Sequence, residues 1–478
     1  MRFPDPLMML RAATRWLFYY SYRRLSRFTH WSERRLTGVG RVVVTATVAF
    51  TLFGIDTEQT TAYQGFAFLA SLLVLSVAFL SVTSMTYRGR FGVTRELPRF
   101  ATAGEPLEYR VRVRKAGNAS GRAERGLTLY EDLAFAWPTR AELSRAREPG
   151  VKRNKIDEFM GFYAWTWLLA ERRNGVVESR DLPALPAGGE VAVNVRLTPR
   201  RRGTLRFAGA SLARTDPLRL CRAFMRNALP QSLLVLPRRY RLAPITLPGH
   251  RRYQPGGVAL ASSAGDSEEF FGLRDYRPGD PLQRMHWKSF ARLGQPIVKE
   301  FQTEFFERHA LALDTAPDPA GDADGLAFEE AVSVAASFVH TLDTQECLLD
   351  MLFVGEEAHV YTAGRGLLRA EHLLEVLAGV QQHGGVGPAE GGPLDDGRQA
   401  GTLQRLEQAV LERRGELSGC ILVLCGWDPD RRRLVDALRG AGLQLLVLAV
   451  VGEATSIDPL AGVRRVRVGH VQEDLLSI

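Results

Sequence analysis

The chain has 478 residues, 45% of them hydrophobic and 24% charged, which is too long for one ordinary domain and too apolar for wholesale disorder or a fibrous repeat. Lys and Arg number 62 against 53 Asp and Glu, leaving +9, a balance that suits a membrane surface or an acidic partner and names neither. Four cysteines exclude a disulfide scaffold; Cys420 and Cys425, five apart on an expected strand, face opposite sides and read as buried thiols.

Residues 1–41 carry nine arginines against Asp5 and Glu33, without the short basic start and cleavable apolar run of a secretory signal. The stretch LMMLRAATRWLFYYSYRRLSRF (7–28) is apolar and basic at roughly helical spacing. A helix on an anionic membrane surface and a helix packed on another domain both fit it. Residues 42–55 hold no charge, but at ~1.5 Å per residue they cover about 21 Å of a ~30 Å hydrocarbon core. Adding residues 37–41, with Arg41 snorkelling, completes a span. Residues 59–87 are charge-free throughout and predict a transmembrane helix. Asp56 and Glu58 mark the turn, and Arg88, Arg90, Arg95 and Arg99 follow the second run. The positive-inside rule then predicts a helical hairpin with both termini and residues 88–478 in the cytoplasm.

Beyond residue 88 the hydrophobic period becomes two. PLEYRVRVRKAG (106–117), EVAVNVRLTP (190–199), TLRFAGASLART (204–215) and SLLVLP (232–237) read as short strands of a β-sandwich. Residues 133–180, with FMGFYAWTWLLAERR, read as a partly helical insertion that covers a sheet edge or meets the membrane. Gly203 after Arg202 permits a tight turn, and Asp216–Pro217 ends a strand. This segment resembles a strand pair of the bacterial membrane-protein family called domain of unknown function 58, with Arg219 where that family has a glycine.

Residues 269–292, EFFGLRDYRPGDPLQRMHWKSFAR, resemble the same family's signature at Glu269, Phe270, Leu273, Arg274, Tyr276, Gly279, Asp280, Arg284, Trp287, Lys288, Ala291 and Arg292, with Met285 where Ile or Val is usual. The resemblance covers most of residues 40–450. It implies an inner-membrane protein of unassigned activity and partners of two kinds, a MoxR-type AAA+ ATPase and a transglutaminase-like membrane protein. Taken from the residues alone, RPGD is a turn and PLQRMHWKSFARLG a short helix, with Asp280 near its start. Arg284, Lys288 and Arg292 then repeat at every fourth position on one face. Three roles stay open for Arg274, Tyr276, Gly279, Asp280, Arg284, Trp287, Lys288 and Arg292. They form a charged lock, a surface for a phosphate, carboxylate or acidic partner, or a catalytic group with His286 and Ser289.

From residue 307 strands and helices alternate: HALALDTAP, FEEAVSVAASFVHTL, CLLDMLFVG, AHVYTA, LLRAEHLLEVLAGVQQ, a Gly/Pro linker at 383–400, TLQRLEQAVLERR, CILVLCGW, RRRLVDALRGAG and LQLLVLAVV. Continuous apolar strands predict a doubly wound parallel sheet. It resembles a von Willebrand factor A-type domain. In such domains a D-x-S-x-S motif with later Thr and Asp residues holds Mg²⁺. The matching positions here are Asp314, Ala316 and Asp318, with Thr402 and Asp428, so both serines are replaced and the resemblance implies a degenerate cation site. There is no phosphate-binding P-loop, no H-E-x-x-H and no nucleophile elbow, and the arginine clusters at 200–202 and 431–433 lack the interleaved aromatics of a nucleic-acid site.

The expected organisation is a basic segment (1–37), a transmembrane hairpin (38–87), a β-sandwich (88–240) with its insertion, the signature segment (241–306) and an A-type α/β domain (307–478). The expected function is a non-enzymatic membrane-anchored scaffold or adaptor, binding no nucleic acid. The rival is a metal-dependent hydrolase or transferase using Asp314, Asp318 and Asp428.

Overall fold

A computed structural model describes residues 6–53, 60–87, 91–115, 123–146, 154–243, 269–280, 282–302, 307–317, 325–342, 347–364, 369–382, 396–452, 455 and 462–477. The chain divides into two compact units, one holding Met1–Arg238 and the other Arg239–Gly387 with Gly392–Ile478.

The first unit opens with three helices, α1 (Pro6–Arg35), α2 (Gly38–Phe53) and α3 (Thr60–Tyr87). In α3, Thr61–Thr83 is long and apolar enough to cross a membrane. Sixteen residues of α2, at ~1.5 Å each, give about 24 Å, so the second expected span is short of a ~30 Å core. The two helices pack together, with Gly65 against the Phe50 ring.

Strands β1 (Phe91–Glu96), β2 (Phe100–Thr102), β3 (Leu107–Lys115) and β4 (Leu127–Leu133) precede the insertion, which folds as α4 (Arg140–Arg145), α5 (Lys155–Met160) and α6 (Phe162–Glu171). Then come β5 (Gly175–Val177), β6 (Arg180–Asp181), β7 (Glu190–Pro199), β8 (Gly203–Thr215) and β9 (Arg222–Leu236). They form a four-stranded sheet in the order β1-β3-β7-β5 and a five-stranded sheet in the order β2-β9-β8-β4-β6. Alternation along β3 turns Tyr109, Val111 and Val113 inward, where they meet Leu129, Leu205, Phe207, Leu212 and Val235 of the other sheet in one shared core. Each such side chain contributes about 1.5–3 kcal/mol of burial. Pro230, which has no N–H for the ladder, falls where the β8–β9 register shifts between Phe207 and Gly209.

The turn from β8 to β9 is the part that grips the helices. Asp216, 2% exposed, accepts from the Cys221 amide at 2.9 Å and from Ser76 Oγ of α3 at 2.6 Å. Leu220, Cys221 and Ala223 pack with Leu36, Val43, Leu72, Leu73 and Leu80. Gly40 lies so close that a Cβ there would overlap the Leu220 carbonyl, which keeps that position to glycine. Arg219 holds φ at 56°, a left-handed conformation that explains the glycine of the resembling family at this position. The turn holds α3 by one side only; Val74, Leu75, Val77 and Val82 remain exposed on the others.

The second unit begins with β10 (Glu269–Asp275), α7 (Trp287–Leu293) and β11 (Ile297–Gln302), where β10 and β11 pair as a separate two-stranded sheet. It continues with β12 (Glu307–Leu313), α8 (Leu326–Thr341), β13 (Cys347–Val354), β14 (Ala358–Ala363), α9 (Ala370–Gly379), α10 (Asp396–Glu412), β15 (Gly419–Cys425), α11 (Pro429–Gly440), β16 (Leu445–Val451), β17 (Val463–Arg467) and α12 (Val471–Leu476). Six of these strands form one sheet in the order β14-β13-β12-β15-β16-β17, parallel except for β14 at its edge. Helices α10 and α11 cover one face, packing on Ala310, Ala312, Leu422 and Leu424. The alternate residues Leu311, Leu313, Ile421 and Val423 are at most 1% exposed, so the other face is covered too. The strand order reverses between β12 and β15, and that makes their carboxyl ends the sheet's switch point.

Candidate functional site

Two places in the second unit gather the residues that the sequence marks for chemistry. The first is the switch point. Asp314, directly after β12, is fully buried; its Oδ1 accepts from the Ala316 amide at 2.8 Å and its Oδ2 from the Cys425 amide at 3.0 Å. Asp428 caps α11, accepting from the Arg431 amide at 2.8 Å, with Pro429 at the first helical position. That cap turns the Arg431 side chain back into the sheet edge. Its Nε donates to Asp314 at 2.7 Å, its Nη1 to Asp428, and its Nη2 to the Ala316 and Pro317 carbonyls at 3.0 and 3.3 Å. Arg431 is 0% exposed. Burial alone would favour loss of its proton, but Asp314 and Asp428 outweigh that, and its pKa is raised.

This arrangement does not fit a resident divalent cation. A hard cation needs carboxylate oxygens facing one open position. Here Asp314 and Asp428 face the same guanidinium, which already stands between them. Thr402 is buried in α10, and Asp318 lies outside the described residues. Among the described residues no group of three or more His, Cys, Asp or Glu is placed to hold a metal. Cys425 sits in the same pocket, its thiol donating to the Asp314 carbonyl at 3.2 Å, whereas Cys420 lies in the core, where burial pushes its thiol up to about 12. Arg431 was visible in the sequence only as one of three consecutive arginines. The signal that singles it out is its position three residues after the Asp-Pro cap.

The second place is the signature segment, which splits into an internal lock and an outward face. Arg274 of β10 holds Asp280 with two parallel bonds, at 2.8 and 2.7 Å, while the Arg277 amide donates to the same carboxylate at 2.8 Å. These bonds keep the Asp280 carboxyl down at about 2, Arg274's hydrogen bonds being the main cause. Gly279, at φ 109°, takes the turn that a side chain would strain. The Tyr276 amide closes the loop on the Pro296 carbonyl at 2.9 Å.

The helix differs from the expected one. A 3-10 turn, Leu282–Arg284, ends before α7 starts at Trp287, because the His286 amide bonds across to Ile297 of β11 at 2.8 Å instead of continuing a helix. Lys288 and Arg292 therefore share a helix at positions one turn apart, and Arg284 does not belong to it. Asp280 serves the loop and not the helix start. His286 Nδ1 lies 2.6 Å from Ser289 Oγ, three residues on within the same turn, and His286 is the cap residue of α7. Lys288 and Arg292 are exposed, as are Leu282 (62%), Trp287 (60%), Phe290 (37%) and Leu293 (62%). Those apolar neighbours are the part of the face that charge-based reading overlooked.

Residues 272–424 match the family model described as protein of unknown function DUF58. A curated relative, the uncharacterized protein YeaD of Bacillus subtilis (strain 168), is 29% identical over 131 residues, which cover 27% of this chain and 31% of that protein. The matched stretch is thus under a third of the relative's length. Among solved structures, the CARDB domain of PF1109 from Pyrococcus furiosus aligns with 30% of this chain and 94% of its own at 11% identity and a TM-score of 0.15. A cohesin module from Clostridium perfringens aligns with 30% and 96% at 10% identity and a TM-score of 0.14. The matched residues run from the outward-facing signature hairpin through the switch point to β15, and it is over that stretch that the chain matches the DUF58 family of proteins of unknown function.

Proposed function

We propose that the protein is a non-enzymatic membrane-anchored adaptor whose signature hairpin docks a partner protein. The observation that carries this reading is the uncovered face of α7, where Trp287, Phe290 and Leu293 stand exposed beside Lys288 and Arg292. Aromatic anchors flanked by cations are typical of binding hot spots, and a monomer gains nothing by exposing them together. The Arg274–Asp280 lock gives that face a fixed geometry before binding, which lowers the ordering cost of association. The switch point supports the same reading. With Arg431 bonded to both carboxylates, Asp314 and Asp428 serve the fold, and a metal-dependent hydrolase would need them free.

In this proposal α3 crosses the bacterial inner membrane with α2 alongside, and the arginine-rich flanks keep both large regions in the cytoplasm. The six-stranded sheet serves as an A-type domain. The partner implied by the family resemblance is a MoxR-type AAA+ ATPase. The test is affinity purification of the tagged full chain from solubilised membranes with mass spectrometry, beside a Trp287→Ala variant. Trp287 is exposed, so the variant should fold. An AAA+ ATPase enriched with the wild type and reduced at least about tenfold with the variant, the loss of a ~1.4 kcal/mol or larger contact, supports docking. Equal recovery with both, or no ATPase with either, overturns it.

A further inference from the structure

Helix α1 is apolar on two opposite sides, and among the described residues the fold covers only one of them. On the inner side Tyr19 and Tyr22 lie against Trp165 and Phe162 of α6, and Trp165 Nε1 donates to Ser26 Oγ at 2.8 Å. On the outer side Leu17, Tyr20, Arg24, Phe28, Trp31 and Arg35 follow one another in steps of three or four, which places them in one stripe along the helix. All six are exposed, Leu17 by 61%, Phe28 by 62% and Trp31 by 49%. The insertion that packs on the inner side adds Ile156, Phe162 and Tyr163 to the exposed apolar surface of this region.

Charge and position say what covers the stripe. α1 has seven arginines, at 11, 15, 23, 24, 27, 34 and 35, against the single acid Glu33. Arg34 is taken up by Asp132 at 2.6 Å, while Arg24, Arg27 and Arg35 face outward. The helix ends at Arg35, with only Leu36 and Thr37 between it and α2, and the Thr37 amide bonds to the Leu220 carbonyl, which fixes that junction. The stripe therefore starts beside the apolar helix pair. From Leu17 to Arg35 it runs about 27 Å at ~1.5 Å per residue. An acidic protein would match the arginines but leave large apolar side chains strung over that length; a bilayer surface meets both along all of it.

We infer that α1 lies in the headgroup region of an anionic bilayer, with Arg24, Arg27 and Arg35 on lipid phosphates and Leu17, Phe28 and Trp31 below them among the acyl chains. This rests on the insertion of α3, which stable recovery of the protein in nanodiscs tests separately. The experiment places a nitroxide at Leu17→Cys or Phe28→Cys of the full chain in nanodiscs and compares collisional access to oxygen and to a nickel chelate. A label at Thr94→Cys, on an exposed sandwich position, is the water reference. The four native cysteines are buried and do not compete for label. In discs containing phosphatidylglycerol both labels are expected to favour oxygen over nickel. Nickel access at position 17 should rise several-fold in phosphatidylcholine discs, and equally in the Arg24→Gln, Arg27→Gln, Arg35→Gln variant. A label at position 17 as open to nickel as Thr94→Cys in anionic discs overturns the inference. So does shielding with spin–spin broadening, which would make the occupant a second copy, and so does shielding that ignores lipid charge.

Discussion

Arg431 and Arg274 each hold an aspartate at 2.7 Å in the same unit, yet the surroundings give the two contacts different work. The Arg431 guanidinium is 0% exposed, lies at the sheet's switch point and bonds two carboxylates and two carbonyls contributed by loops that are more than a hundred residues apart in sequence. Arg274 is 32% exposed, and its aspartate is six residues away in the same hairpin. A buried pair is costly to form and more costly to break, because the partner left behind keeps its charge out of water. An exposed pair is screened by solvent and contributes little to global stability, but it can still fix a loop. The first is thus a structural clasp closing the place where open α/β sheets take ligands. The second is a shape-holding device for an exposed face.

The largest predicted effect follows from removing the buried cation. Arg431→Met leaves Asp314 and Asp428 side by side without a counter-ion and should cost about 3–5 kcal/mol. Calorimetry of the full chain should show a lower-melting transition for the C-terminal unit, and added Mg²⁺ should fail to restore it if the two carboxylates alone make too poor a cation site. A variant as stable as the wild type would break the comparison, since the clasp would then contribute no more than the exposed pair. Asp428→Ala should cost less, about 1–2 kcal/mol. It removes the α11 cap and one charge but leaves the Asp314 bond in place. If Asp428→Ala equals Arg431→Met, the clasp acts through the cap and not through the buried cation.

These contacts also mark where sequence reading stops. The apolar runs in β12, β13, β15 and β16 are legible because both faces of each are buried, and β3, β7 and the first half of β8 because their burial alternates. The first half of β9 escapes notice, since Pro230 and polar neighbours break its pattern at a bulge that only the β8 partner explains. β17, VRRVR, is masked by its three arginines at the sheet edge. In the signature segment the residue types were legible and their division of labour was not. The equal spacing of Arg284, Lys288 and Arg292 implies one helix, but a single long-range bond, from the His286 amide to Ile297, ends it. Arg431 was hidden more completely, because its Asp314 partner is 117 positions earlier. Asp314 and Asp428 are recognisable in the sequence as candidate carboxylates; the cation that stands between them is not.

Breaking the half-buried lock should leave global stability almost unmoved and change the hairpin alone. Asp280→Ala removes the acceptor of Arg274 and of the Arg277 amide, so proteolysis between Tyr276 and Phe290 should quicken while the melting of the six-stranded sheet stays within error. Acid should reproduce this variant in the wild-type protein. The Asp280 carboxyl sits at about 2 in the fold, below the ~3.9 of a free aspartate, so its contribution is present above pH ~4 and is lost as pH falls toward 2. Arg274 stays protonated across that window and adds no opposing term. Pepsin works in this range and cleaves at exposed apolar residues such as Leu282 and Phe290. The expected result is a wild-type cleavage rate in the hairpin that approaches the Asp280→Ala rate as pH falls toward 2 and lies well below it by pH 4, relative to cleavage elsewhere in the chain. A constant ratio between the two proteins from pH 2 to 5 would mean that the lock does not hold the face of α7, and Trp287 would then have to be positioned by α7 and β11 alone.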